Sequence, residues 1–547
     1  MNKAASIILC GGKINFLNLP IKSNTSNSMI PVNGKPVISW ILEDLITKGF
    51  NEAVLVHRSD DIHLKQFLSR TFCTKMKLEL VELVESPSIL HSLKAGLEQS
   101  DLKGAIQVIL GDTLIRDSFD RQDNYVFTHS VEDSTRWCIA EYNDLGVVIN
   151  YIDKSENPGV PFEALCGFYK LNHSEEFYNL ILKCIVDGKN QLSDVLKSYG
   201  AKYPVKGVKA EFWYDFGNIE NLLNAKRQLL QSRYFNSLFI HPVLNTITKE
   251  SEFDDKLRNE LKWYEDLPSE LSVLSPRIIK KTEKEGRLVF TQEYYGYPTL
   301  SELFLYSDLS ADAWHGIVKK LMEIVGEFGK YPTQINENSL LEIYLNKTFD
   351  RLQILFDSDP QWISLFESDE LTINGKVYQG FQKLMPKIKG YALKMIGNAR
   401  FGILHGDLCF SNILFDINSQ IVKLIDPRGS FGQIGIYGDQ RYDMAKLRHS
   451  IHGLYDYIVS DLFEISVEGN NIKSSIFSNE IPESVTLDFD KQIKSSGFDP
   501  DEIQFIEGLL FISMLPLHKD KPYRQQVMFA QGMVFLNEII EKYENCN

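Results

Sequence analysis

The sequence predicts an α/β fold for its first 230 or so residues and a mixed α+β fold for the rest. In the first part, short apolar strands alternate with helical segments, which is typical of a mainly parallel sheet covered on both faces. After a polar helical segment at 221–232, the pattern changes to hairpins and then to a long, mostly helical region. The 547 residues suffice for two large domains, and we place them at 1–232 and 233–547.

Composition and charge exclude several classes of protein. Apolar residues make up 44% and charged residues 24% of the chain, which excludes a mainly disordered chain or a fibre. With 58 basic and 73 acidic residues the net charge is −15, so a broad basic face for nucleic acid is not expected. No apolar run reaches about 18 residues, so no membrane span is predicted.

The cysteines indicate a reducing compartment. There are seven, an odd number, and none forms a CxxC pair, so we expect free thiols rather than a disulfide frame or a zinc site. The apolar stretch before Cys10 is shorter than the roughly 7–15 residues that a lipoprotein leader needs. A cytoplasmic protein is therefore predicted.

The elements of the first part follow from its apolar runs. Strands are predicted at 5–9, 53–56, 78–85 and 105–110, and helices at 37–45, 89–97 and 221–232. The first and the last of these strands run directly into Gly11-Gly12 and Gly111-Asp112. Because ligands bind beyond the carboxyl ends of strands in a parallel sheet, these two turns predict a binding site.

The second part begins with strands and continues in helices. SLFI and VLNTIT, around His241-Pro242, predict a hairpin, 256–264 a helix and 287–295 a further strand. The charged run at 280–287 is interpreted as a solvated turn between strands. Beyond about residue 300 we expect mainly helices, with a second hairpin formed by 413–415 and 421–425.

The strongest functional signal is HGDLCFSN at 405–412, followed by VKLIDPRG at 422–429. Asn412 follows Asp407 by five residues, and Asp426 follows it by 19. Phosphoryl transfer from ATP needs a carboxylate that orients and deprotonates the attacking hydroxyl, and further oxygen ligands that hold Mg²⁺ on the phosphates. These three residues supply that set, whereas any one of them alone would be interpreted as a helix cap or a turn.

Over residues 234–547 the sequence resembles the aminoglycoside phosphotransferase and choline kinase family, which is related to the protein kinases. The matching motifs are HGDxxxxN, IDPRG where protein kinases have DFG, and YDMAKL at 442–447. The resemblance implies a two-lobed α+β domain of the protein-kinase type that uses ATP and Mg²⁺. It makes Asp407 the catalytic base and Asn412 and Asp426 the Mg²⁺ ligands. Asp443 would be a structural acid that braces the catalytic loop.

In the smaller lobe the resemblance rests on fewer residues, and no glycine-rich loop precedes the hairpin. Lys249, at the end of NTITK, is the candidate for the lysine on the ATP phosphates, and Glu260 is its candidate partner. Lys256 lies one helical turn before Glu260, so a surface pair between these two is the alternative. Glu293, in QEYY at 292–295, belongs to the candidate hinge that binds adenine through its backbone.

Several aromatic residues lie in or near this hinge. An aromatic box for a quaternary amine is one interpretation of them, and plain packing at the junction of the lobes is the other. The residues concerned are Tyr294, Tyr295, Tyr297 and Trp314.

Over residues 3–230 the sequence resembles the sugar-phosphate nucleotidylyltransferases, including their phosphocholine cytidylyltransferase branch, and this implies a Rossmann-like domain. The matches are the glycine loop at 11–12, SMIPVNGKP at 28–36, Asp112 in ILGDT, Lys154 in YIDKSENP, FEALCGFYKL at 162–171 and Asp215 in WYDFGN. The resemblance implies that Gly11, Gly12 and Lys35 bind the nucleotide. It also implies that Asp112 and Asp215 bind Mg²⁺ and that Lys154 binds the acceptor phosphate.

Two positions depart from the pattern of this second family. Phe16 stands where the loop usually carries Arg, and Asn27 stands where the next motif usually carries a catalytic Lys. Both missing groups are cations, and losing one such group commonly costs on the order of 10²–10³ in rate. Lys13 and Lys22 are nearby candidates to replace them. The alternative is a domain that binds a nucleotide without turning it over.

Together the two parts predict a bifunctional enzyme of capsule or other surface-polysaccharide biosynthesis. One part would phosphorylate a small alcohol or sugar with ATP, and the other would couple that phosphate to a nucleotide from a second NTP, with CTP favoured. The alternatives are a kinase whose N-terminal domain only binds nucleotides, and a non-catalytic regulatory or assembly protein of a capsule locus. The identity of the acceptor and the oligomeric state, including a homo-oligomer, stay open.

Overall fold

The computed structural model describes residues 4–13, 26–72, 75–100, 104–132, 134–154, 162–230, 236–241, 243–251, 254–307, 309–478 and 480–546. The chain forms two compact units, Met1–Leu229 and Leu230–Asn547, which we call the N-terminal and the C-terminal unit. Among the described residues, no helix is both long and apolar enough to cross a membrane.

The N-terminal unit is built from short strands and six described helices. The strands are β1 (Ala5–Leu9), β2 (Pro31–Val32), β3 (Lys35–Pro36), β4 (Glu52–Arg58), β5 (Lys77–Leu83), β6 (Ile106–Leu110), β7 (Thr113–Ile115), β8 (Tyr125–Val131), β9 (Cys138–Tyr142), β10 (Val148–Asp153), β11 (Phe162–Leu171), β12 (Lys206–Lys209) and β13 (Trp213–Asp215). The helices are α1 (Val37–Thr47), α2 (Ile62–Thr71), α3 (Ile89–Glu98), α4 (Ser174–Val186), α5 (Leu192–Gly200) and α6 (Ile219–Gln228).

Nine of the described strands form one mixed sheet. Its main order is β10-β9-β11-β6-β1-β4-β5, with β8 beside β11 and β12 beside β8. Strands β6, β1, β4 and β5 are parallel neighbours, and β11 joins β6 in the antiparallel direction. The prediction of a mainly parallel α/β sheet is therefore correct for its centre, whereas the β8–β11 side is largely antiparallel.

The central strand β1 explains why this sheet could be recognised in the sequence. Its residues Ile7 and Ile8 are fully buried, because β4 and β6 flank the strand and helices cover the sheet. Helix α3 packs closely on β1, since a methyl group on Gly96 would lie 2.8 Å from Ile7 and 2.9 Å from Val56. This close packing places the start of α3 beside the carboxyl end of β1, where the cavity described below opens.

The C-terminal unit starts with a four-stranded antiparallel sheet and a helix. Its strands are β14 (Asn236–His241), β15 (Thr246–Ser251), β16 (Ile278–Lys284) and β17 (Arg287–Glu293), in the order β14-β15-β17-β16, and the helix is α7 (Asp254–Asp266). The interpretation of 280–287 as a turn is wrong for most of the run. Its first five residues belong to β16, and only Glu285 and Gly286, both with positive φ, form the turn.

The rest of the C-terminal unit is mainly helical. The helices are α8 (Leu300–Tyr306), α9 (Ala311–Gly329), α10 (Glu337–Leu341), α11 (Lys347–Ser358), α12 (Gln361–Glu367), α13 (Phe381–Ile396), α14 (Gln440–Ile451), α15 (Tyr455–Val459), α16 (Glu480–Ser495), α17 (Pro500–Met514) and α18 (Pro522–Cys546). A π-helical turn, Glu342–Asn346, joins α10 to α11. All residues of α14 are buried, and the helix forms one wall of a cavity in the C-terminal unit that is described below.

This helical region also contains strands, most of which the sequence did not reveal. They are β18 (Glu370–Ile373), β19 (Lys376–Gln379), β20 (Phe401–Ile403), β21 (Ile413–Asp416), β22 (Ile421–Leu424), β23 (Tyr437–Asp439), β24 (Phe463–Glu468) and β25 (Asn471–Ile476). Strands β21 and β22 form the predicted hairpin. Strands β19-β18-β25-β24 form an unpredicted sheet, in which Thr372 pairs with Asn471, a partner distant in sequence.

Candidate functional site

The N-terminal unit contains a cavity of about 740 Å³ at the carboxyl ends of β1, β4 and β6. Its lining includes both predicted glycines and one predicted carboxylate, and adds a cation from the end of β4. The residues most relevant to a ligand are Gly11, Gly12, Lys13, Asn27, Arg58, Ser88, Ser92 and Asp112. The two turns that the sequence placed at strand ends therefore lie at one cavity.

The two predicted metal carboxylates of this unit come close together. A methyl group on Gly217 would lie 3.1 Å from an oxygen of Asp215 and 3.7 Å from an oxygen of Asp112. Asp215 accepts hydrogen bonds from the Gly217 N–H (3.0 Å) and from Asn221 Nδ2 (2.5 Å). Burial, together with the charge of Asp112, raises the pKa of Asp215 to about 6.

Asn27, which replaces the expected lysine, contacts one of these carboxylates. Its Nδ2 donates to Asp112 at 3.2 Å, and its backbone N–H donates to the Gly12 carbonyl at 3.0 Å. Its Oδ1 is buried and has no hydrogen-bond partner among the described residues. Asn27 therefore lies beside Asp112, but it brings no positive charge there, unlike the lysine that the resemblance predicts at position 27. Phe16 and Lys22 lie outside the described residues.

Two cations line the cavity near the glycine loop. Arg58 Nη1 lies 3.5 Å from the Gly11 carbonyl, and its Nε is 2.7 Å from Asp60. Lys13 Nζ lies 4.0 Å from the same Asp60 carboxylate. Lys13 was nominated from the sequence, whereas Arg58 was missed. Arg58 is the last residue of β4, a parallel neighbour of β1, and this position at a strand end was the only indication of its role.

Like Asp215, the remaining two predicted residues of the N-terminal unit lie outside the lining of this cavity. The Lys35 ammonium pairs with Glu43 and lies 3.8 Å above the Trp40 ring, so its charge is already engaged. Lys154 has an exposed side chain directly after β10, and its N–H donates to the Trp137 carbonyl at 3.2 Å. Trp137 lines a smaller pocket of about 220 Å³ together with Asp215.

The C-terminal unit contains a second cavity, of about 680 Å³, which includes the strongest motif of the sequence. Its lining includes Asp407, Asn412 and Asp426, and also Glu260 from α7. The conformation of the 405–412 loop is held by Asp443, whose carboxylate accepts the N–H groups of His405 (2.7 Å) and Gly406 (2.9 Å).

Asp407 lies between an amide and an ammonium. One of its oxygens accepts a hydrogen bond from Asn412 Nδ2 at 3.1 Å, and the other lies 2.9 Å from Lys446 Nζ. Although burial opposes its ionisation, Lys446 lowers the pKa of Asp407 to about 2. The carboxylate is therefore ionised at neutral pH, which suits a group that orients and accepts a hydroxyl proton.

Lys249 connects two carboxylates that come from distant parts of the chain. Its Nζ lies 2.6 Å from Glu260 Oε1 and 2.5 Å from Asp426 Oδ1, in a buried position. Burial alone would lower its pKa, but Asp426 and Glu260 raise the pKa of Lys249 well above its usual value. The contact between Lys249 and Glu260 nominated from the sequence is thus formed.

Glu293 and Trp314, from the predicted hinge and aromatic box, are not among the residues that line the C-terminal cavity. Glu293 lies outside the lining of the cavity; its carboxylate accepts from Tyr295 Oη (2.9 Å) and its N–H donates to the Arg277 carbonyl (3.0 Å). Trp314 is 1% exposed and packs on Phe304 and Phe410 in the helical core. Packing, rather than an amine box, is the correct interpretation of Trp314.

The oxygen donors in both cavities fit Mg²⁺. Among the described residues no group of three or more His, Cys, Asp or Glu side chains is arranged to hold a metal alone. Mg²⁺ is usually held by one or two carboxylates, with substrate phosphates and water completing its coordination. Asp112 with Asp215, and Asn412 with Asp426, provide such incomplete sets.

Fold and site define the class of the N-terminal unit. It is a mixed α/β domain with a glycine-lined cavity and paired carboxylates at strand ends, which are features suited to handling phosphate groups. The family model described as Nucleotidyl transferase matches residues 5–232. The N-terminal unit is therefore a nucleotidyltransferase-type domain.

Curated relatives agree with this class. The bifunctional protein GlmU of Methanocaldococcus jannaschii is 26% identical over 235 residues, which cover 41% of this chain and 54% of that protein. Glucose-1-phosphate thymidylyltransferase of Xanthomonas campestris is 25% identical over 238 residues, covering 41% and 80%. The chain spans about half the length of its GlmU relatives. These relatives support the interpretation of the protein as an enzyme that transfers phosphorus-containing groups.

Solved structures were also compared. A putative glucose-1-phosphate thymidylyltransferase from Bacillus anthracis is 20% identical with a TM-score of 0.38, covering 42% of this chain and 97% of that one. CTP:phosphocholine cytidylyltransferase from Streptococcus pneumoniae is 21% identical with a TM-score of 0.35, covering 42% and 100%. Both likenesses concern less than half of the chain.

Proposed function

We propose that the protein is a bifunctional enzyme with one reaction in each unit. The C-terminal unit phosphorylates a small alcohol or sugar with ATP. The N-terminal unit couples that phosphate to a nucleoside monophosphate taken from an NTP and releases pyrophosphate. The observation that carries the proposal is the C-terminal cavity, where Lys249 joins Glu260 to Asp426 and where Asp407 and Asn412 face the same space.

In the kinase reaction, each of these residues has a role that its contacts support. Lys249, held by Glu260, offsets charge on the ATP phosphates, while Asn412 and Asp426 are the residues that would hold Mg²⁺ there. Bound Mg²⁺ supplies neutralisation of phosphate charge. Asp407 orients the acceptor hydroxyl and takes its proton as the new oxygen–phosphorus bond forms and ADP leaves. The two-lobed, protein-kinase-like domain stays part of this proposal.

In the nucleotidyl transfer, the N-terminal cavity supplies phosphate-binding groups. The loop at Gly11 and Gly12 lets the backbone approach phosphates, and Lys13 and Arg58 provide positive charge beside it. Asp112 and Asp215 are the residues that would hold Mg²⁺. Lys154 would bind the acceptor phosphate, and CTP is the favoured NTP.

The two reactions fit in sequence, because the phosphorylated product of the first has the chemistry of the acceptor in the second. The combined product is an activated head group attached to a nucleotide, and capsule or other surface-polysaccharide biosynthesis is the use that we assign to it by analogy between families. Such a pathway step takes place in the cytoplasm.

A second candidate function is a kinase alone, with an N-terminal unit that only binds nucleotides. Asn27 favours it, because this residue brings no charge to Asp112 at the position where a catalytic lysine is expected. The third possibility, a regulatory or assembly protein of a capsule locus, is disfavoured. A binding protein needs no pair between the buried Lys249 and Asp426 beside a second ionised carboxylate.

Two release assays on the purified full chain with Mg²⁺ test the proposal. One follows ADP from ATP across a panel of small alcohols and sugars, and the other follows pyrophosphate from each NTP across the matching phosphates. The bifunctional proposal requires one acceptor to support both assays. ADP release without pyrophosphate from any NTP would support the kinase-only alternative, and no release in either assay would overturn both.

A further inference from the structure

Besides the exposed Lys256, three cations line the C-terminal cavity without a role in the kinase reaction described above. They are Lys347, Arg351 and Arg428, all half-buried. Lys347 Nζ lies 3.3 Å and Arg428 Nη1 lies 3.0 Å from the hydroxyl oxygen of the buried Tyr442. Arg351 Nη1 donates to the Ser513 carbonyl at 3.1 Å. Two of the three cations therefore converge on one hydroxyl group.

None of these three cations has a carboxylate within salt-bridge distance in the described part of the chain. The acids of the cavity are already committed, because Glu260 and Asp426 share Lys249. Asp407 pairs with Lys446. This wall of the cavity thus carries excess positive charge, although the whole chain has a net charge of −15.

Tyr442 offsets this charge only in part. Burial opposes ionisation of its hydroxyl, but Lys347 and Arg428 lower the pKa of Tyr442 to about 7. Even a fully ionised Tyr442 would balance one of the three cations. Burial also lowers the pKa of Lys347 to about 8, because its charged form is poorly solvated at this position. An anion entering the cavity would relieve this penalty.

The backbone near Lys347 is also unusual. The π-helical turn Glu342–Asn346 ends at the residue before Lys347, and Lys347 and Arg351 follow it one helical turn apart on α11. Such π turns in α-helices are frequently found at functional sites. The turn changes the direction in which the first turn of α11 presents its side chains.

The contacts of Asp407 indicate which substrate these cations face. One Asp407 oxygen faces Asn412 on the side of the proposed metal ligands. The other faces Lys446, which follows Tyr442 by one turn of α14. Through Tyr442, Lys347 and Arg428 are therefore connected to the oxygen of Asp407 that faces Lys446. The groups assigned to ATP, Lys249, Glu260 and Asp426, are paired with one another instead, so we assign the cations to the acceptor.

We propose that the acceptor is a small alcohol that itself carries an anionic group, a phosphate, phosphonate or carboxylate, which Lys347, Arg351 and Arg428 bind while Asp407 receives its hydroxyl proton. This inference rests on the proposed kinase function and names its substrate class. A cationic acceptor such as a quaternary amine is excluded by repulsion from the same three side chains.

Alcohols of matched size and different charge provide the test. With the full chain, ATP and Mg²⁺, ADP release is measured for choline and ethanolamine, for ethylene glycol and glycerol, and for glycolate, glycerate, glycerol phosphate and 2-hydroxyethylphosphonate. We expect release with at least one of the last four and background rates with the first four. The carboxylate, phosphate and phosphonate members show which anionic group is used. Selective release with choline or glycerol would overturn the inference while leaving the kinase function intact.

Two variants test the residues. Lys347→Met and Arg351→Met should each raise the KM for the anionic acceptor by roughly ten- to hundredfold, because each removes one charge-assisted hydrogen bond. The KM for ATP should change less than about twofold. Lys330→Met, on the exposed end of α9, is the control and should alter neither constant. A rise in the KM for ATP instead would mean that the cations bind the nucleotide and would overturn the inference.

Thermal melts separate this inference from the kinase function if no alcohol supports ADP release. Inorganic phosphate should raise the melting temperature of the C-terminal transition in the wild-type protein and in Lys330→Met. The rise should be smaller by at least half in Lys347→Met and Arg351→Met, since each lacks a cation of the site. That result with no ADP release would support the anion site and contradict the kinase. Equal rises in all four proteins would overturn the anion site.

Discussion

The two cavities balance their carboxylates in opposite ways. In the C-terminal cavity each reactive carboxylate faces a lysine, because Lys249 contacts Asp426 and Lys446 contacts Asp407. In the N-terminal unit Asp112, which lines the cavity, approaches Asp215, which lines the smaller pocket, and among the described residues no Lys or Arg lies within salt-bridge distance of either. Instead, the side chain of the neutral Asn27 donates a hydrogen bond to Asp112.

The pKa values record this difference. Lys446 lowers the pKa of Asp407 to about 2 despite its burial, whereas burial and the charge of Asp112 raise the pKa of Asp215 to about 6. In the C-terminal cavity the carboxylates thus have cationic partners before a ligand binds. In the N-terminal unit Asp112 and Asp215 would gain such a partner only when Mg²⁺ binds. Preorganised charge is what catalysis of phosphoryl transfer uses most.

The largest effects should come from removing one carboxylate in each cavity. Asp407→Asn should lower ADP release by roughly 10²–10⁴-fold, since it removes the group that takes the hydroxyl proton. Asp112→Ala should abolish pyrophosphate release, because the remaining Asp215 is left as a single ligand. Both release assays on both variants check this. The two-site comparison fails if either change removes both activities while circular dichroism shows an intact fold.

Lys249→Met would make the C-terminal cavity resemble the N-terminal one. Glu260 and Asp426 would then lie together without their shared cation, and the ATP phosphates would lose a charge. We expect the kcat for ADP release to fall on the order of 10²-fold. Lys281→Met is a matched control, because Lys281 lies on β16 of the same sheet and makes only an exposed pair with Glu265. Similar rates for both variants would contradict the role of Lys249.

Asn27→Lys would make the opposite change. A lysine at this position would bring a cation to Asp112, and pyrophosphate release should rise by about tenfold or more. Asn27→Ala removes the same hydrogen bond to Asp112 without adding charge and serves as the control. If both variants have the same rate, the missing cation at position 27 does not limit the N-terminal unit, and attention moves to Lys13 and Arg58.

The smallest effect is the pH dependence of stability. Asp215 binds its proton more tightly in the folded protein, with a pKa of about 6 against the ordinary 3.8. Folded protein is therefore favoured by this group at low pH, and the wild type should lose stability relative to Asp215→Asn as pH rises from about 4 to about 6. The difference should be no more than about 3 kcal/mol.

Urea unfolding of both proteins across this pH range measures the difference. Mg²⁺ should reduce it, because a cation favours the ionised carboxylate. The exposed Asp144→Asn should follow the wild type and serves as the control. Parallel pH profiles for the wild type and Asp215→Asn would contradict the raised pKa of Asp215 that burial and the charge of Asp112 produce.

Several elements could be predicted because their patterns are local. Strand β1 is a short apolar run since both faces of the sheet are covered, and Gly11 follows it after Cys10. The β21–β22 hairpin joins neighbouring segments. The β18–β25 pairing could not be predicted, because its short strands are separated by a long stretch of chain that carries no signal of their pairing.

The functional residues divide in the same way. Lys249 and Glu260 could be nominated because they lie 11 residues apart on a strand and the next helix. Lys347, Arg351 and Arg428 were not nominated from the sequence, because two lie on an ordinary amphipathic helix and the third is part of the IDPRG motif but was given no role there. Their common feature is the cavity that they share.

The sequence by itself determined which chemical groups the protein has and how neighbouring ones are spaced, as with Asp407 and Asn412, which lie five residues apart and share a hydrogen bond. Tertiary structure decided which distant groups meet. It brings Lys249 to Asp426, 177 residues away, and sets Arg428 beside Lys347 at Tyr442. The physical reason is that local patterns report burial and backbone preference, whereas the charge environment of a site depends on how separate elements pack together.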